Sequence, residues 1–256
     1  MDIAGKAAIV TGSSSVTGIG AECAKALASR GCNVLINYVT NEAGAEETAA
    51  LCGAEGVETL TFRADVSQDA DCRAMVAAAL DKWGRLDVLV NNAATTRPIP
   101  QADLEALDAD EFMRIYSVNV VGNFQMTRAA ATALRATGDA AVVNISSIGA
   151  FLGNGSSMAY AASKGALNTM TISMARVLAP EVRVNAICPG GLLGNWTEKI
   201  MTPEGYQRRV QEAETDFPLH KAVWPVDVAG TALWLITEAT TLSGEAIRMD
   251  VGQHLK

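Results

Sequence analysis

The sequence predicts a doubly wound α/β fold, in which a single parallel sheet of seven strands carries helices on both faces. Three observations point there. Short apolar runs alternate with longer amphipathic segments from end to end, the pattern of successive β-α-β units. A glycine-rich loop separates the first apolar run from the first helical segment. No linker, repeat or low-complexity stretch divides the 256 residues, a length that suits one sizeable core.

The elements follow in order. Ala7–Thr11 is a strand-like run ending in the glycine loop, and Ile19–Arg30 a helix stopped by Gly31. Asn33–Tyr38 reads as the second strand. The alanine- and glutamate-rich segment Glu42–Cys52 follows, its acids forming a solvated face. Val57–Phe62 is a third strand, Gln68–Trp83 a helix closed by Gly84, and Leu86–Val90 a fourth strand. One long helix is expected from about Leu104 to Leu134, with Gly122 inside it. Ala141–Ile145 is a strand, Met158–Ala179 a helix ended by Pro180, and Val182–Ile187 a strand. Residues 190–225 carry no strong strand signal and read as a mobile substrate lid within the single domain 1–256. Helix Val226–Glu238 and strand Ala246–Asp250 close the chain. Right-handed crossovers then place any ligand beyond the carboxyl ends of the strands.

Composition excludes several classes of function. The chain has 20 Lys+Arg against 28 Asp+Glu, a net charge of −8. That balance argues against nucleic-acid or anionic-membrane partners, which need clustered cations. The opening residues have one Lys and a short apolar run, well below a signal-peptide core, so a cytoplasmic protein is expected. The uncharged stretch 140–163 contains Asn144, Ser146, Ser147, Asn154, Ser156 and Ser157, which no lipid-spanning helix would carry. The five cysteines are odd in number and none is closely spaced, which reads as free thiols. No His/Cys/Asp/Glu group has metal-ligand spacing, and neither His220 nor His254 sits in a nucleophile motif.

Two motifs carry chemistry. The first is TGSSSVTGIG at 11–20, directly after a strand and opening a helix. Glycines there let backbone N–H groups approach a pyrophosphate, and the helix N-terminus adds its positive dipole end. Gly12, Ser14, Ser15, Thr17, Gly18 and Ile19 are the candidate contacts. The second is Ser147 with Tyr160 and Lys164. Tyr160 and Lys164 are four residues apart and share a helix face. A phenol with a reference pKa of about 10 exchanges protons poorly at neutral pH, and a neighbouring ammonium favours its ionised form.

Together with Asp65-Val66, NNAA at 91–94, Asn119, NISS at 144–147, YAASK at 160–164, PGG at 189–191 and SGEAIRMD at 243–250, these motifs resemble the short-chain dehydrogenase/reductase family over nearly the whole chain. Within it the likeness is to 3-oxoacyl-acyl-carrier-protein reductases. The thirteen-residue step from Ser147 to Tyr160 agrees with that family. The resemblance implies a Rossmann fold and a homotetramer. It implies Tyr160 as general acid/base, Lys164 on the nicotinamide ribose and lowering the Tyr160 pKa, Ser147 orienting the substrate oxygen, and Asn119 positioning a water. It implies Asp65 and Val66 at the adenine, Asn91 and Ala93 along the ribose side, and Pro189 and Gly190 beside the nicotinamide. The chain departs from the pattern in three places. Five residues rather than three separate Gly12 from Gly18, Ala94 stands where the family has Gly, and the usual carboxamide-binding Thr falls on Gly194, with Asn195, Trp196 and Thr197 following.

The expected activity is hydride transfer between NADP(H) and a small ketone or secondary alcohol. A carboxylate at the end of the second strand would hold a free ribose 2′-hydroxyl, but that place falls on Tyr38. NADP(H) is therefore favoured over NAD(H). No Arg or Lys lies in 12–20 or 37–44, so the hydroxyls and amides of Ser13, Ser14, Ser15, Thr17, Thr40 and Asn41 would serve the phosphate. Phe151, Leu152, Leu192, Trp196 and Met201 are the candidate substrate wall. The segment Ala133–Asp139 has one cation and one anion, which weighs against an acidic carrier protein as substrate. The alternatives are an NAD-linked polyol or sugar dehydrogenase, a 3-oxoacyl-thioester reductase, and a non-catalytic dinucleotide-binding regulator.

Overall fold

The structure is a computed structural model and describes residues 1–255. Seven parallel strands form one sheet in the order β3-β2-β1-β4-β5-β6-β7. They are β1 (Ala7–Val10), β2 (Asn33–Tyr38), β3 (Thr59–Arg63), β4 (Val88–Asn91), β5 (Ala140–Ile145), β6 (Val182–Pro189) and β7 (Ala246–Met249). Alternate residues of β1 face opposite layers. Ala8 and Val10 pack with α1 (Ile19–Ala28) and α10 (Pro225–Thr237), beside α2 (Glu42–Gly53). Ile9 packs with α3 (Asp69–Trp83), α5 (Asn123–Ala136) and α7 (Met158–Leu178). The sheet is covered on both faces, which is why its strands read as continuous apolar runs. The strand order reverses between β1 and β4, and the carboxyl ends of these two strands open a crevice.

The expected helix from Leu104 to Leu134 is divided. Residues 104–108 stay outside it because Asp108 caps α4 (Ala109–Tyr116), its carboxylate accepting from the Glu111 N–H at 2.8 Å. Residues Ser117–Gly122 then form a π-helical turn before α5. Gly122 sits against β3's extension: a Cβ there would lie 2.7 Å from the Val66 Cγ2. The presumed irregular stretch 190–225 contains two helices, α8 (Asn195–Ile200) and α9 (Pro203–Thr215), and Leu192 pairs with Val223. α9 buries only Ala213, so it has almost no apolar stripe to read. A short helix, α6 (Gly149–Leu152), follows β5.

Candidate active site

Three segments lock the glycine loop. Gly12 has φ +62°, and a Cβ there would meet the Ala93 Cα at 2.9 Å, so only glycine fits this turn. Its N–H donates to Asn37 Oδ1 at 3.0 Å. The buried Asn37 amide in turn donates to the carbonyls of Phe62 and Ala64, at 3.3 and 2.9 Å. From the β4 side, the Thr11 hydroxyl accepts the N–H groups of Asn92 and Ala93, and the Asn92 amide donates to the carbonyls of Thr11 and Gly12. Gly20 belongs to the same device, since a Cβ there would meet Asn92 Nδ2 at 2.5 Å. Gly20 and Asn92 lie in the quoted motifs TGSSSVTGIG and NNAA without an assigned role, and Asn37 lies outside every motif. They act on the loop from the ends of separate strands and from the helix after it.

The loop opens α1 at Gly18, which has no side chain to cap the helix. The first N–H groups of α1 are therefore left for an external acceptor. Gly12, Ser14, Ser15, Gly18 and Ile19 all line one cavity of about 750 Å³ at the strand ends. Thr17 does not reach it and is exposed. Ser13 is buried with its hydroxyl on the Val10 carbonyl, and the Asn41 amide is spent on the Ser14 carbonyl at 2.6 Å. Ser13 is thus an internal strut, and Asn41 braces the loop from the surface. A dinucleotide fits the remaining set: an uncapped helix start, a loop packed too closely for a side chain at Gly12, and Asp65, Val66, Ala93, Pro189 and Gly190 along the same cavity. Asn91 lies outside it, buried with its amide on Thr127 and Asn144.

Tyr38 lines the cavity, but its hydroxyl donates to Glu42 at 2.8 Å across the first turn of α2. On the adjacent strand Arg63, in register with Tyr38, donates from Nε to the carbonyl of the cavity-lining Val39 at 3.1 Å. A cation thus stands beside the end of β2. It could not be found by scanning 37–44, because sheet pairing supplies it.

Ser157 caps α7, accepting the Tyr160 N–H at 3.2 Å. The cap places Tyr160 in the first turn and Lys164 one turn later, and both line the cavity with Ser147. Lys164 is 2% exposed, and its Nζ donates to the Ile145 carbonyl at 2.8 Å while lying 5.6 Å from the Tyr160 ring centre. Burial dominates both groups. It pushes the Tyr160 phenol up to about 12, opposed by a hydrogen bond with Ser147, and pushes the Lys164 ammonium down to about 8. The contact that lowers Tyr160 is Ser147, and the Lys164 ammonium, on the same side of the cavity, is directed at the β5 backbone.

Asn119 does not line the cavity either. The π-helical turn buries it, and its side chain is spent on Thr95 N–H and C=O, at 2.8 and 3.0 Å, and on Ser163 Oγ at 3.0 Å. Ser163 then donates to the Tyr160 carbonyl at 2.7 Å. Asn119 thus braces the wall residue Thr95 and the turn that carries Tyr160.

Leu192, Trp196 and Met201 line the same cavity, with Trp196 and Tyr160 ring centres 6.5 Å apart. Phe151 and Leu152 do not. They lie exposed on α6, where Phe151 stacks under Arg248 at 5.4 Å. Their part of the wall is taken by Ile148 and Asn154, since α6 turns its apolar side outward. After Gly194, both Asn195 and Thr197 reach the cavity, Thr197 with its hydroxyl on the Gly194 carbonyl. Among the described residues no helix is long and apolar enough to cross a membrane, and all five cysteines are buried and free.

Comparison with known proteins gives this architecture its relatives. Residues 12–254 match the family described as Enoyl-(Acyl carrier protein) reductase. The chain is 40% identical over 248 residues to the protein named ketoacyl reductase 2 of the granaticin polyketide synthase from Streptomyces violaceoruber, covering 97% of this chain and 96% of that one. A crystal structure of a short-chain dehydrogenase/reductase from Burkholderia xenovorans shares 40% identity and a TM-score of 0.88, with 98% of each chain covered. A 7α-hydroxysteroid dehydrogenase complexed with NADH and 7-oxo glycochenodeoxycholic acid shares 29% identity and a TM-score of 0.88, covering 98% of this chain and 94% of that one. By fold, site and relatives alike, the chain belongs to the short-chain dehydrogenase/reductase family and is an NAD(P)-dependent oxidoreductase.

Proposed function

We propose that the protein transfers a hydride between NADP(H) and a small ketone or secondary alcohol. The observation that carries this is Tyr160, Ser147 and Lys164 lining one cavity with the uncapped start of α1. When bound, the nicotinamide group supplies or accepts the hydride. The protein's residues do the rest. Ser147 holds the substrate oxygen, and Tyr160 Oη gives that oxygen a proton or takes one from it. Lys164 holds the ribose, Asp65 and Val66 the adenine, and Pro189 and Gly190 flank the nicotinamide. Residues 190–225 close over the substrate and exclude water. Asn119 acts by bracing Thr95 and Ser163.

Preference for NADP(H) is supported by Tyr38 in place of a carboxylate at the end of β2, by Arg63 beside it, and by Ser14 and Ser15 in the lengthened loop. A second reading, an NAD-linked dehydrogenase, is favoured by one observation: the Glu42 carboxylate stands on Tyr38. Titrating NADPH and NADH against wild type, Arg63→Ala and Tyr38→Asp separates the two. The proposal expects NADPH to bind more tightly to wild type, with both substitutions eroding that preference. Tighter NADH binding by wild type selects the second reading. Turnover of a panel of neutral ketones with both reduced cofactors tests the reaction itself. We further propose a homotetramer, supported by outward-facing Phe124 on α5 and Ile172 and Val177 on α7, working in the cytoplasm, where buried free thiols persist.

A further inference from the structure

Four charged side chains line the cavity: Asp65, Lys164, Lys199 and Arg209. Asp65 follows β3 on the dinucleotide side, and Lys164 sits beside Tyr160. The other two belong to α8, which carries Trp196, and to α9. This end of the cavity is therefore lined by two cations and no carboxylate, in a chain that has 28 acids, 20 bases and a net charge of −8. Trp196, Ile200 and Met201 line the same cavity, apolar side chains that offer nothing to pair with a charge.

Arg209 is held in position before any ligand arrives. Its guanidinium stacks on Phe217 at 4.8 Å, and its terminal nitrogens donate to Glu212 Oε2 at 3.1 Å and to Gln253 Oε1 at 3.2 Å. Its Nε is buried without a partner. A guanidinium has five N–H donors, four of them on the terminal nitrogens, so two terminal donors remain after Glu212 and Gln253. Glu212 offsets part of the charge. Lys199 makes no ion pair among the described residues and adds a second, uncompensated one. Two residual donors on a fixed planar group match the two oxygens of a carboxylate, and a nearby ammonium raises the attraction.

We propose that the substrate is an oxo acid or hydroxy acid, with its carbonyl or carbinol carbon at Tyr160, its carboxylate at Arg209 and Lys199, and its chain against Trp196 and Met201. This rests on the reading of Tyr160 as the proton donor and goes beyond it by naming the far end of the substrate. A charge on the substrate, rather than on a carrier protein, also accommodates the protein's acidic surface, because one carboxylate enters a locally cationic pocket.

The test is a ladder of linear methyl-ketone carboxylates of increasing chain length, each paired with its methyl ester. kcat/KM is measured with NADPH for wild type, Lys199→Gln and Arg209→Gln. Wild type is expected to prefer the acid by about tenfold or more at one or two chain lengths. That preference falls several-fold in Lys199→Gln and nearly vanishes in Arg209→Gln. The Kd of NADPH, read by fluorescence quenching, stays unchanged, and the ester values fall less than the acid values. Arg209 also ties α9 to the C-terminal turn, so thermal unfolding accompanies each variant, and the exposed Lys199 supplies the arm that does not depend on folding. Esters turned over as well as acids at every length overturn the proposal. So does an acid preference that survives both substitutions, or a loss of NADPH affinity in their place. A wild type that reduces neutral ketones and esters without favouring acids overturns this inference alone. One that reduces no carbonyl compound with either NADPH or NADH overturns the reading of Tyr160 and this inference with it.

Discussion

Tyr160 and Lys164 are both costly residues to bury, and the fold buries both. The phenol moves up to about 12 and the ammonium down to about 8, so in each case burial favours the neutral form. Tyr160→Phe keeps the ring that packs against Trp196 and removes only the hydroxyl. Turnover should fall by about 10²–10⁴-fold, the usual worth of general acid/base help, with dinucleotide Kd nearly unchanged. Wild-type turnover in that variant contradicts the assignment. Lys164 carries a second, thermodynamic signature. Its pKa falls from 10.5 to about 8, so between those values the unfolded chain holds a proton that the native site has released. Stability owed to this group therefore rises as pH rises through that window. Tyr160 acts oppositely, but only above its ordinary value of 10. The Tm of wild type relative to Lys164→Met should thus improve from about pH 8 to 10. A difference independent of pH contradicts the burial of an ionisable Lys164.

Single helices show how tertiary neighbours decide what a glycine does. Gly20 and Gly230 both lie inside helices. A Cβ at Gly20 meets Asn92 Nδ2 at 2.5 Å and the Gly12 carbonyl at 2.6 Å, whereas a Cβ at Gly230 meets nothing within 4 Å. Gly20→Ala should destabilise by about 1–3 kcal/mol through overpacking and weaken dinucleotide binding by displacing the loop. Gly230→Ala should stabilise by up to about 1 kcal/mol through helix propensity. Chemical denaturation of both variants checks the opposed signs. The carboxyl end of α10 depends instead on a strand residue. Arg183 of β6 donates to the carbonyls of Leu235, Ile236 and Ala239, at 2.6, 2.8 and 3.0 Å. It thus caps carbonyls that the helix cannot satisfy. Arg183→Met should lose about 2 kcal/mol, the range for bonds to a charged donor. An unfolding midpoint equal to wild type contradicts this.

At the scale of the molecule, both faces of the sheet are covered, yet the outer sides of α5 and α7 retain apolar surface at Phe124, Ile172 and Val177, 43%, 48% and 67% exposed. The proposed tetramer buries these side chains. Ile172→Glu or Val177→Glu should then lower the mass seen by light scattering, while monomeric wild type at micromolar concentration contradicts the assembly. Tyr160 and Lys164 lie on the same helix α7, so the assembly proposed here would rest on the element that positions the reacting groups.

Much of this was legible in the chain itself. Alternation of apolar runs with amphipathic segments marks the parallel sheet, because strands buried on both faces have no polar side to show. The glycine loop, Ser147 and the four-residue step from Tyr160 to Lys164 are local patterns, and the residues they point to line one cavity. What folding alone decided are pairings between distant segments. Strand register brings Arg63 beside Tyr38, an apolar-poor sequence becomes α9 and delivers Arg209, and a π-helical turn withdraws Asn119 into the wall. The orientation of α6 leaves Phe151 and Leu152 outside, and burial rather than Lys164 governs the Tyr160 phenol. Period and spacing encode which face of an element is apolar. Which neighbour that face meets, and how far a charge is taken out of water, depend on the packed whole.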